Sequence, residues 1–182
     1  MIPTLHGEHV MLSPFSLDDA ALVQRYAGDP QVARTTLHVP HPYLDGMAEK
    51  WIASHLLQYL EKRNVVFAIR SRAGNLYGAI NLSLRMGDQW GELGYWIGLP
   101  FWNKGYCTDA ARRVVRFGFE EMGLNKIYAR YLEENGGSGR VMEKIGMTRE
   151  GIQRQHAMKD GVLRDVVEYG ILKSEYNDRL AC

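Results

Sequence analysis

The stretch "GYWIGLPFWNKGYCTDAARRVVRFGFEEMG", residues 94–123, decides how this chain is to be read. An aromatic strand ends at Gly98-Leu99-Pro100, a loop carries Lys104 and Gly105, and a helix opens directly behind it. In that helix Cys107, Ala110, Ala111, Val114, Val115, Gly118, Phe119 and Met122 share one stripe, while Arg112, Arg113 and Arg116 face away. Gly123 stands where a helix-ending glycine belongs. A helix start leaves backbone N–H groups unpaired at the positive end of the helix dipole, so the junction is a natural anion site. Lys104 adds a full charge, Gly105 lets backbone approach a ligand, and Thr108 adds a hydroxyl. An ordinary capped helix start would also use these residues.

Working outward, the spacing predicts a short strand at residues 9–12, then a helix from Ser16-Leu17-Asp18-Asp19 to Tyr26 that stops at Gly28-Asp29-Pro30. Residues 31–46 read as a turn-rich connection. A helix over residues 47–62 is expected to bury Trp51, Ile52, His55, Leu56 and Tyr59. The period then switches to two for strands at 65–69, 76–84 and 92–98. After the central helix come a strand at 126–132, a short helix at 139–145 and a hairpin of 147–157 with 162–172 around Lys159-Asp160-Gly161. This order predicts an α/β (α+β) fold, a mixed and mostly antiparallel sheet of about seven strands with flanking helices. A length of 182 residues points to one domain, residues 1–182.

Bulk composition removes whole classes of function. With 46% apolar and 24% charged residues and a net charge of +1, the chain is globular and carries no general attraction for nucleic acid. Its longest apolar runs, such as Val65-Val66-Phe67-Ala68-Ile69, are strand-sized, so no membrane span is expected. MIPTLHGEHV has neither the basic nor the apolar region of a signal peptide. Two cysteines, Cys107 and Cys182, make no disulfide framework, and the expected setting is cytoplasmic.

Common phosphate motifs do not explain the junction. Asn103-Lys104-Gly105-Tyr106 is not a P-loop, and reading Gly137-x-Gly139 as a dinucleotide fingerprint places Met142 where the third glycine belongs. The series of motifs along the chain instead resembles the GNAT acetyltransferase superfamily, and most closely its ribosomal-protein N-terminal (alanine/serine) acetyltransferase branch of RimJ/RimL type. The resemblance rests on Thr4-Leu5-x-Gly7-Glu8, Glu92-Leu93-Gly94-Tyr95-Trp96-Ile97, Gly105-Tyr106-Cys107-Thr108-Asp109-Ala110, the block from Asn135 through Ser138 to Glu143-Lys144-x-Gly146-Met147, and Glu150-Gly151.

The resemblance implies acetyl-CoA as cosubstrate, with its pyrophosphate wrapped by Asn103, Lys104, Gly105, Tyr106, Cys107 and Thr108. Asn103 stands at the family's first loop glycine, and asparagine tolerates the left-handed backbone needed there. It also implies that strands 92–98 and 126–132 splay apart, with pantetheine bound to free backbone at Trp96, Ile97 and Gly98, and with Asn135 touching CoA. Pro100, which cannot continue a ladder, agrees with strands that part there.

Acetylating an amine requires a neutral amine, a polarised thioester carbonyl and a proton for the departing thiolate. The tyrosine that supplies this proton in many superfamily members would fall seven residues past Asn135, and Met142 stands there. Ser138 is the candidate replacement; it equally suits the cap of a helix starting at Gly139. Glu92 is the candidate base, on a strand face with Gly94 and Trp96, or else a solvated strand-end glutamate. The carboxylate found soon after Glu-Gly in some ribosomal-branch enzymes is missing from Gln153-Arg154-Gln155-His156-Ala157, which leaves that role vacant or to His156.

Rival readings divide. A serine hydrolase elbow at Gly136-Gly137-Ser138-Gly139 fails at Arg140. His6-x-x-His9 and His38-x-x-His41 lack further metal ligands, so no metal is expected. What stays open is an N-acetyltransferase acting on a protein N-terminus, one acting on a small amine such as an antibiotic, polyamine or amino acid, or a non-catalytic acyl-CoA-binding domain. The expected partner is the amine acceptor, without membrane or nucleic acid, and a homodimer is compatible with the resemblance.

Overall fold

The computed structural model describes residues 1–180, so Cys182 lies outside the described residues. The chain forms β1 (Leu5–His6), β2 (Met11–Ser13), α1 (Ala20–Ala27), α2 (Pro30–Thr35), α3 (Met47–Leu60), β3 (Asn64–Arg70), β4 (Leu76–Arg85) and β5 (Trp90–Ile97). It continues through α4 (Tyr106–Glu120), β6 (Lys126–Leu132), α5 (Gly136–Lys144), β7 (Thr148–Lys159), β8 (Val162–Leu172) and α6 (Lys173–Leu180). All the strands join one sheet of eight, ordered β1-β2-β3-β4-β5-β6-β8-β7. The count exceeds the expected seven by the two-residue β1, too short to carry a period.

Alternation along β3 explains the layering. Val65, Phe67 and Ile69 join the core under α4, whose Ala110, Ala111, Val114, Val115, Phe117 and Phe119 are buried against them. Ala68 faces the opposite way, into a second core built with Ala20, Val23, Ala27, Val32 and Ile52 of α1, α2 and α3. A strand buried on both faces reads as an unbroken apolar run, which Val65–Ile69 is. Leu56 departs from the expected buried stripe of α3: it is 53% exposed. It lies at the edge of the stripe centred on Ala48, Ile52 and His55 and points to solvent.

Two helices were not legible in the pattern. Asp29-Pro30 reads as a stop, yet the Asp29 side chain accepts from the Gln31 N–H at 2.8 Å and Pro30 opens α2. The same pair serves both roles, because proline is as suited to a first helical position as it is hostile to a helix interior. α6 lacks an apolar stripe and is tied down through its first half: Leu172 N–H donates to Glu175 at 2.8 Å, and the Tyr176 ring lies 5.1 Å from that of Phe119. α5 begins at Gly136, ahead of the expected Gly139, so Ser138 lies inside the helix and Asn135 caps it.

Every neighbouring pair of strands is antiparallel except β5 and β6, which run parallel. That pairing covers only Trp90–Leu93 against Lys126–Ala129. Beyond it β5 stays on β4 and β6 stays on β8, so the centre of the sheet opens. Among the described residues no helix is long and apolar enough to cross a membrane, and no three or more His, Cys, Asp or Glu side chains are placed to hold a metal ion.

Candidate active site

The loop between β5 and α4 takes the conformation its sequence suggests. Asn103 has φ 59° and Gly105, the N-cap of α4, has φ 80°, both left-handed. Asp109 N–H is the first to find a helical acceptor, the Gly105 carbonyl at 3.0 Å, so the N–H groups ahead of it in the first turn point outward. Lys104 Nζ sits 5.8 Å from the centre of the Phe101 ring.

This loop lines a cavity of about 500 Å³. Trp96, Ile97, Asn103, Lys104, Gly105, Tyr106, Cys107, Thr108, Asn135 and Ser138 all border it. Arg140 and Lys144, which sequence reasoning passed over, add two cations on α5. Their helical spacing of four was the available signal. Diphosphate chemistry fits such a lining, with outward N–H groups, a left-handed loop and three cations around one opening. Burial pushes the Cys107 thiol up to about 12, so it stays protonated and contributes bulk, not a nucleophile.

Gly98 does not fit the expected free backbone. Its N–H donates to the Tyr77 carbonyl at 2.9 Å, and it does not border the cavity. Alternate residues of a strand turn their backbone groups to opposite neighbours, so Trp96 shares the β4 ladder with Gly98. The groups facing the opening belong to Tyr95 and Ile97. The Ile97 carbonyl already accepts from the Trp102 indole at 2.7 Å.

A second cavity, of about 430 Å³, lies on the side of α1, α2 and α3. Glu92 and Arg130 stand in its wall. Glu92 accepts from Tyr128 Oη at 3.0 Å and from Arg130 Nε at 2.9 Å, so both its oxygens are engaged. Burial, reinforced by Glu92, raises the Tyr128 phenol to about 12 and keeps it a donor. The carboxylate is therefore half-buried and paired, not a bare strand-end glutamate.

The two cavities share Thr35, Thr36, Tyr95, Trp96, Asn135 and Ser138. They meet where β5 and β6 part, which makes the opened sheet a passage from one face to the other. Ser138, only 8% exposed, sits at this meeting point with Oγ 2.8 Å from Tyr95 Oη. Burial raises the Tyr95 phenol far above its ordinary range, so it keeps its proton beside the serine. Asn135 holds the corner: its Oδ1 accepts from Ser138 N–H at 3.2 Å, while its Nδ2 donates to the Thr35 carbonyl at 2.9 Å. Tyr95 escapes the sequence because no local spacing pairs its hydroxyl with Ser138, 43 positions away. His156 lies exposed in a bulge of β7 between Gln153 and Ala157 and borders neither cavity.

A helix tip with outward N–H groups among three cations, and a second cavity joined to it through an opened sheet, suit an enzyme that moves a group between two bound molecules. The acetyltransferase (GNAT) domain model matches residues 9–148, and the chain belongs to that family of N-acetyltransferases. An uncharacterized N-acetyltransferase of Bacillus licheniformis, p20, is 27% identical across 95% of this chain and 98% of its own. The putative ribosomal N-acetyltransferase YdaF of Bacillus subtilis is 36% identical over 57% of each chain. A GNAT acetyltransferase structure from Bacillus anthracis superposes with a TM-score of 0.82 at 27% identity, covering 94% of this chain and 99% of that one.

Proposed function

We propose that this chain transfers the acetyl group of acetyl-CoA directly to the N-terminal α-amino group of a protein, in the manner of the ribosomal-protein acetyltransferases, in the cytoplasm. The observation that carries the reading is the junction of the two cavities at Tyr95 and Ser138. Acetyl-CoA would lie along the α4 side, its diphosphate on residues 103–108 with Lys104, Arg140 and Lys144 around it. Its pantetheine arm would reach the passage along the open edge of Tyr95 and Ile97. The amine would approach from the Glu92 side.

In the transfer, the amine nitrogen bonds to the thioester carbon, the carbon–sulfur bond breaks, and the thiolate takes a proton from Ser138 Oγ. Tyr95 Oη, 2.8 Å behind, keeps its own proton and hydrogen-bonds to the serine oxygen, while the serine takes back a proton from solvent, so neither group is left as an anion. The proton released by the amine leaves towards Glu92, directly or through water. That carboxylate is shared with Arg130 and Tyr128, which leaves little to spend on stripping a strongly basic amine. At pH 7, neutralising an α-amino group of pKa ~8 costs about 1–1.5 kcal/mol, against about 4–5 kcal/mol for a lysine at ~10.4. The cheaper amine matches this site. The name of YdaF, which refers to a ribosomal acceptor, supports the same choice.

The test is thiol release with acetyl-CoA and N-terminal peptides, with the acetylated nitrogen located by mass spectrometry. Acetyl on the α-nitrogen supports the proposal; tight CoA binding without transfer to any amine would leave a binding domain in its place.

A further inference from the structure

From the walls of the second cavity we infer that the acceptor's first residue carries a large apolar side chain, and that polyamines are excluded. The inference rests on the proposed function, since it takes this cavity as the acceptor site. Its wall is formed by Leu37, Val39, Tyr43, Met47, Trp51 and Trp96, contributed by three segments that close on the passage at Ser138. Trp51 is braced from behind: its ring meets His55 at 4.4 Å and Phe15 at 5.1 Å, both edge-on. An aromatic wall held this way is preformed, so an apolar side chain entering it is buried without the cost of ordering the pocket.

The polar groups around that wall are largely spoken for. Thr35 and Thr36 hydroxyls donate to α2 carbonyls at 2.9 and 3.0 Å, and Asn81 Nδ2 donates to Asn64 at 3.1 Å. Of the charged side chains bordering the cavity, Glu92 is the single carboxylate and is paired with Arg130, while Lys50 stands exposed at the rim. A polyamine brings several positive charges and needs several unpaired carboxylates; here it would meet a net positive lining. A peptide with one amine and an apolar first side chain leaves no charge stranded.

The experiment compares peptides identical except for a first residue of Leu, Met or Phe against Ala or Ser, with spermidine alongside, followed by CoA release. Burying the larger side chain is expected to raise kcat/KM roughly 10- to 100-fold over the Ala and Ser peptides, with spermidine at background. Trp51→Ala should collapse that ratio, and Trp51→Phe should retain it; unchanged CoA affinity by calorimetry shows that both variants are folded. Equal or faster transfer to Ala and Ser peptides overturns the inference and leaves N-terminal acetylation standing. Transfer to spermidine but to no peptide overturns both.

Discussion

The phenol of Tyr95 lies 2.8 Å from the hydroxyl of Ser138, joining β5 to the first turn of α5 across the opening in the sheet. Ser138 is buried and Tyr95 half-buried in the wall shared by both cavities, and under the proposed function the pair stands where a departing thiolate would need a proton. Its place predicts a separation of chemistry from binding. Ser138→Ala is expected to lower kcat by roughly 10²-fold or more while CoA affinity stays nearly intact. Tyr95→Phe should lower kcat less, about 10-fold, and the double variant should be no slower than Ser138→Ala alone, as for groups that act as a unit. A matching loss of CoA affinity in calorimetry would make Ser138 a binding residue instead.

The loop ahead of α4 should be tunable through its backbone. Asn103 already holds φ 59°, so Asn103→Gly is expected to preserve CoA affinity, whereas Asn103→Val strains the turn by about 1–3 kcal/mol and weakens binding accordingly. Lys104→Ala should weaken CoA binding about 3- to 10-fold and flatten its dependence on salt. Titration calorimetry at two salt concentrations measures all of these; full affinity in Lys104→Ala would place the diphosphate elsewhere.

Asp109 ties the N-terminal turn to the central helix. Its carboxylate accepts from Glu8, His9 and Val10 N–H at 3.0, 2.7 and 3.0 Å. A Cβ at Gly7 would come within 2.8 Å of the same carboxylate, which is why glycine stands there. Asp109→Ala strands three buried or half-buried donors and is expected to cost about 3 kcal/mol, a drop in Tm of roughly 6–12 °C. A thermal scan that leaves Tm unmoved would show that the turn is held by other contacts.

His55 predicts how the protein responds to acid. It is buried between Trp51 and Phe15, neither ring nitrogen has a partner among the described residues, and burial lowers its pKa from 6.5 to about 4. Between those values the unfolded chain binds a proton that the folded chain refuses. The stability due to neutral His55 is complete above about pH 6.5 and is lost as the pH falls towards 4, by about 2 kcal/mol at pH 5 and about 3 kcal/mol at the foot of the window. Urea unfolding at pH 7.5 and 5 checks this: His55→Phe should show a smaller difference between the two than the parent protein, and an equal difference would assign the acid sensitivity to another group.

Much of this architecture could be read in advance where one element carries its own period. The stripe of α4, the unbroken apolar run of β3 and the alternation of β4 and β5 are local properties, so they were visible in single segments. Asp29-Pro30 was ambiguous because the same two residues end one helix and start another, and α6 has no stripe to see. Within the site, Lys104, Gly105 and Asn103 declared themselves through turn chemistry. Tyr95 did not, because its contact with Ser138 depends on how closely α5 approaches β5.

The amino-acid order alone determined the helix start with its outward N–H groups, the left-handed loop before it and the strand that ends ahead of Pro100, since each depends on backbone preferences within a few neighbours. Tertiary structure alone decided that Glu92 is shared with Arg130 and Tyr128, that Gly98 belongs to the β4 ladder, and that two cavities meet at Ser138. Those facts depend on contacts between residues tens of positions apart, and such contacts are set by how the two cores pack against the sheet, which no local spacing records.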